Sequence, residues 1–136
     1  MSDDFKQHLQ NVRNAVLKLH KTVLDSERTS YEATVGPIQG PNHFLKLLTT
    51  DPWFAWLQPF SQLIVSMDEA LDSKEPLTRE MADALINQTG KLLVGAENAE
   101  GFSGHYYEAL QRDPDVVLAH AEVMKLRKPQ KPPPPS

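Results

Sequence analysis

Apolar residues recur along the first part of the chain at Phe5, Leu9, Val12, Val16, Leu19 and Val23, in alternating steps of four and three. That spacing stacks them on one face of an α-helix, and nothing between Asp3 and about Val35 breaks it, so the pattern predicts one long amphipathic helix. Gly36-Pro37 ends it. Continued onward, the same seam meets Ser26, Ser30 and Ala33, whose small side chains leave room for a close helix approach or for a cavity.

Pro41 suits a first helical position and opens a short helix that closes at Thr49-Thr50. Asp51-Pro52, a cap followed by a first-turn proline, starts a helix expected to reach about Leu71. Trp53, Leu57, Phe60, Ile64, Met67 and Leu71 form its seam, and Trp56, Leu63 and Ala70 widen the apolar face, so this helix is expected to be the most buried. Pro59 inside it removes a backbone hydrogen bond and predicts a kink. Thr78 is a predicted N-cap for a helix through Val94, with Met81, Leu85 and Leu92 on one line and Ala82, Ile86 and Leu93 beside it. Gly90 within that helix costs about 1 kcal/mol relative to alanine, which predicts a close backbone contact there. A loop spans Gly95 to Gly101. A short helix from about Ser103 to Arg112 then precedes Asp113-Pro114 and a last helix to about Leu126.

The predicted fold class is therefore all-α, an up-and-down bundle of four main helices with two short helices leading into the second and fourth. Residues 1–127 read as one domain, and 128–136, KPQKPPPPS, as a disordered or polyproline II tail. Two segments also align without gaps. His43-Phe44 pairs with His105-Tyr106, Leu48 with Leu110, and Asp51-Pro52 with Asp113-Pro114, all at an offset of 113 − 51 = 62. This raises the expectation of an internal repeat, two three-helix halves about a pseudo-twofold axis. Asp-Pro is also a common helix start, so coincidence explains part of the match.

Composition narrows the chemistry. The chain has 136 residues, 40% hydrophobic and 24% charged, which are ordinary values for one globular domain. It contains no cysteine, which excludes a thiol nucleophile, a disulfide scaffold and cysteine-ligated metal. Net charge is 14 − 18 = −4. Lys125, Arg127, Lys128 and Lys131 lie in a terminal stretch without acids, so the remainder carries −8. Such a body repels phosphate, and nucleic acid is not an expected partner. The start, MSDDFKQHLQ, is acidic where a secretory signal is basic and then apolar, and no stretch has the length of a membrane span. The expectation is a cytoplasmic protein without membrane insertion.

Five histidines and many carboxylates invite a metal reading, but no Glu-x-x-His occurs, and Val12, Leu24, Leu47, Ala109 and Met124 stand four residues after the histidines. Gly-x-Ser-x-Gly and phosphate-loop motifs are absent too, and a Ser103-His105 pair has no identifiable orienting acid. On the first helix His20, Leu24, Glu27 and Tyr31 recur in steps of four, three and four beside the small-residue zone, a line able to border a polar pocket. The plainer expectation is that His20 and Tyr31 are boundary residues with polar ends in water and that Glu27 is exposed. Trp53 and Trp56 are expected in the core, and His43 and His105 against neighbouring backbone.

The stretches TDPWFAWLQPFSQLIVSMDEALD (Thr50 to Asp72) and RDPDVVLAHAEV (Arg112 to Val123) resemble a family of short, uncharacterised bacterial proteins over about residues 5 to 126. The resemblance implies a bacterial, cytoplasmic, all-helical protein and brings no activity with it. The expected function is a non-enzymatic interaction or regulatory module without a cofactor, engaging a protein partner or a second copy of itself. The alternative from another class is a metal- or small-ligand-binding bundle built around His20, Glu27, Tyr31 and His105.

Overall fold

A computed structural model describes residues 4–128 of the chain, so the proline tail expected at 128–136 lies outside the described residues from 129 onward. The described residues form seven helices and no strand: α1 (Asp4–Thr34), α2 (Pro41–Thr50), α3 (Pro52–Ala55), α4 (Gln58–Asp72), α5 (Arg79–Leu92), α6 (Phe102–Arg112) and α7 (Pro114–Leu126).

The long seam of α1 is the centre of the molecule. Leu9, Val12, Val16, Leu19 and Val23 are fully buried, because α4, α5 and α7 all pack on this one helix. The stretch 52–71 nonetheless has the larger buried share, seven of its 20 residues against eight of the 31 in α1, as its wide apolar face predicts. Contacts between side chains fix the directions. Arg13 pairs with Asp68 at 2.6 Å and His20 with Ser61 at 3.0 Å, so α4 runs antiparallel to α1. The Arg79 guanidinium lies over the Phe5 ring, placing the starts of α5 and α1 together. His8 Nε2 bonds the Leu126 carbonyl at 2.7 Å, so α7 runs antiparallel to α1.

Pro59 does more than kink its helix. It lacks an N–H and its ring collides with the carbonyl four residues back, so the chain leaves helical bonding at Trp56-Leu57 and restarts with Pro59 in the first turn of α4, where no N–H partner is required. The preceding piece, α3, keeps the Asp51 cap, whose carboxylate accepts the Trp53 N–H at 2.8 Å. Asp113 does the same for Asp115 at 2.9 Å, and Thr78 caps α5 through the Met81 N–H.

On α5 the buried line is Ala82, Ile86, Thr89 and Leu93, while Met81 is 45% exposed. The small Ala82 and Thr89 admit close packing, and the Thr89 hydroxyl donates to the Leu85 carbonyl, which satisfies it inside the core. The contact at Gly90 is with a side chain, not with backbone: a Cβ there would overlap the Arg127 guanidinium. Gly104 meets backbone instead, since a Cβ on it would collide with the Ala99 carbonyl oxygen, and this draws the 93–101 loop down onto α6.

Candidate functional site

Where the seam of α1 turns small, the space is filled by charge. Glu27 is only 6% exposed. Its Oε1 accepts from Arg112 at the end of α6 at 3.1 Å and its Oε2 from the Trp53 indole of α3 at 2.9 Å. The Arg112 Nε also donates to the buried Ser26 hydroxyl at 3.1 Å. Tyr31, one turn further along α1, packs edge-on to Trp53 and against Phe54. A buried carboxylate with two donors from two other helices ties α1, α3 and α6 together. Both carboxylate oxygens are engaged, so the cluster reads as a structural fastening.

A second polar group lies nearer the start of α4. His20 is half-buried, bonds Ser61 Oγ through Nε2, and meets the Phe60 ring edge-on at 5.0 Å. Burial lowers the His20 pKa below its ordinary value, so the ring is neutral at pH 7. His20 and Ser61 border a pocket of about 140 Å³ whose other walls are Leu24, Leu48, Phe54, Ala55, Leu57 and Gln58. Among the described residues no charged side chain lines it.

A groove of about 810 Å³ lies between α1 and α7. Ala15 and Thr22 of α1 and Ala119 of α7 give it a shallow floor, Leu118 stands beside them 68% exposed, and Leu126 closes one end. Asp25, Asp113, Asp115 and Glu122 line it against a single base, Lys18. In comparisons with protein-family models, curated protein sequences and solved structures, none matches the chain.

The four residues named from the α1 line and its companion helix thus occupy three places. Glu27 and Tyr31 share Trp53 as a neighbour, His20 faces the small pocket with Ser61, and His105 is exposed and stacked on Trp56 at 5.4 Å. Glu27 is buried instead of exposed, because Arg112 and Trp53 compensate its charge. Among the described residues no three His, Asp or Glu side chains converge into a metal-holding group. His43 accepts the Gln39 backbone N–H, and Trp56 is buried with no acceptor for its indole N–H among the described residues, so its ring contributes packing alone.

The sequence does not single out Ser61, Arg112 or Leu118 as site residues. Ser61 and Arg112 act on residues 41 and 85 positions away, and no periodicity links such distant partners. Leu118 did carry a signal. The run Val116-Val117-Leu118-Ala119 is apolar on more sides of α7 than one neighbouring helix can cover.

Proposed function

We propose that this chain is a non-enzymatic interaction module of a bacterial cytoplasm whose α1/α7 groove receives a basic amphipathic helix from a protein partner. The observation that carries this reading is the combination, in one groove, of an exposed Leu118 over a small-residue floor with four carboxylates against one lysine. Docked helices use such features: apolar anchors enter beside small residues, and flanking charges choose the partner and its orientation. The groove follows α7, whose 13 residues span about 20 Å, the length of a partner helix of three to four turns. A second copy of this chain would bring the same acids to the face, so charge favours a different, basic partner over self-association.

The scaffold behind this reading is an up-and-down bundle of four main helices, α1, α4, α5 and α7, supported by the antiparallel Arg13–Asp68 and His8–Leu126 contacts and the parallel Phe5–Arg79 contact. Its proposed internal repeat is supported by the two Asp-Pro caps, which place equivalent carboxylates on equivalent N–H groups. No helix among the described residues is long and apolar enough to cross a membrane.

The test uses a designed Leu/Lys amphipathic peptide of about four turns, with a Leu/Glu peptide as control. Anisotropy should show the basic peptide binding and the acidic one not. Leu118→Ala and the pair Asp115→Lys, Glu122→Lys should each weaken it about tenfold, a loss of about 1.4 kcal/mol. Asp83→Lys, on exposed α5 surface away from the groove, should weaken it far less. Equal binding of both peptides, or indifference to Leu118→Ala, would overturn the reading.

A further inference from the structure

We propose that the pocket between α1, α3 and α4 is a binding site for a small neutral molecule the size of one six-membered ring bearing a hydroxyl group, held by the Ser61–His20 pair. This goes beyond the groove and does not depend on it. Its volume of about 140 Å³ is close to the cavity of about 150 Å³ that accommodates benzene in a hydrophobic core. Leu24, Leu48, Phe54 and Leu57 supply apolar walls that suit a ring. Among the described residues no charged side chain lines the pocket, and burial favours the neutral form of His20, so the lining suits an uncharged ligand.

The polar end is built to match a hydroxyl. Ser61 Oγ lies 3.0 Å from His20 Nε2. When Nε2 is the acceptor, the Ser61 O–H points at the imidazole and its oxygen lone pairs remain for a ligand donor. When Nε2 carries the proton, it donates to Ser61 and leaves the serine O–H free to donate. The pair therefore offers either role by exchanging the imidazole tautomer, and a hydroxyl group is the ligand that can use both. Gln58 at the same wall adds an amide that donates and accepts. The His20 ring in turn meets the Phe60 ring edge-on, at 5.0 Å between centroids.

Phenol is the probe, with benzene as the apolar control, followed by proton–nitrogen correlation spectra of the labelled full chain. Phenol should shift amides around His20, Ala55 and Ser61 in a saturable way. Ala55→Phe, a change at an exposed residue that fills the pocket, should abolish these shifts while the remaining spectrum stays folded. Ser61→Ala should weaken phenol about fivefold, the value of one neutral hydrogen bond, and leave benzene unchanged. Shifts that never saturate, that survive Ala55→Phe, or that weaken equally for phenol and benzene in Ser61→Ala would each overturn the proposal.

Discussion

Replacing Arg112 by methionine keeps an aliphatic stem at the end of α6 and removes both of its bonds into α1, to Glu27 and to Ser26. The cost is set by how dry each partner is. Exposed ion pairs are worth about 0.2–1 kcal/mol, whereas stripping one partner from a buried pair costs about 3–5 kcal/mol. Here the side chains are unequal: Arg112 is 35% exposed and Glu27 only 8%. Water can solvate the guanidinium but not the carboxylate, which retains just the Trp53 indole as a donor. The expected loss is intermediate, about 2 kcal/mol. With an unfolding entropy of about 2.1 cal/mol/K per residue, a chain of 136 residues should melt about 7 °C lower. Calorimetry on Arg112→Met, Glu27→Gln and the double variant makes the test specific. Glu27→Gln keeps an acceptor for Trp53 and removes the charge, so Arg112→Met should cost at least about 1 kcal/mol less in that background. An unchanged melting temperature for Arg112→Met, or strictly additive variants, would show that Glu27 is not a buried charge compensated by Arg112.

Two further outcomes are expected. Asp51→Ala and Asp113→Ala should each lower stability by about 1 kcal/mol in denaturant titrations, since each carboxylate accepts a first-turn N–H of its helix; variants that unfold like the parent would remove the caps from this account. Burial also lowers the pKa of His20 and of His120, which is hydrogen-bonded to the buried Tyr106 hydroxyl at 2.6 Å. Between the ordinary value of about 6.5 and the lower folded values the unfolded chain binds more protons, so stability should fall as pH drops below about 6.5. Denaturant midpoints should show this fall reduced in His20→Gln, His120→Gln, and an identical pH dependence in that double variant would refute the assignment.

What could be read from the sequence was local. The seam from Phe5 to Val23 announces α1, and Asp-Pro, Thr78 and Gly36-Pro37 mark helix starts and a stop, because periodicity and capping act within a few residues of one another. The break at Pro59 was half legible: proline's missing donor predicts a disturbance, but whether a chain kinks or restarts depends on what the flanking Trp56 and Leu57 can bury. Which line of α5 faces inward, Met81 or Ala82, was decided by the neighbours, since the two lines differ by one residue and only packing against α1 and α4 separates them. The site was least legible. Glu27 looks like any surface acid until Arg112, 85 residues away, arrives to compensate it, and His20 looks like a boundary residue until Ser61 completes a pair. A helix encodes its own face through short-range spacing, whereas burial of charge and formation of a pocket are properties of side chains that meet only when the helices pack.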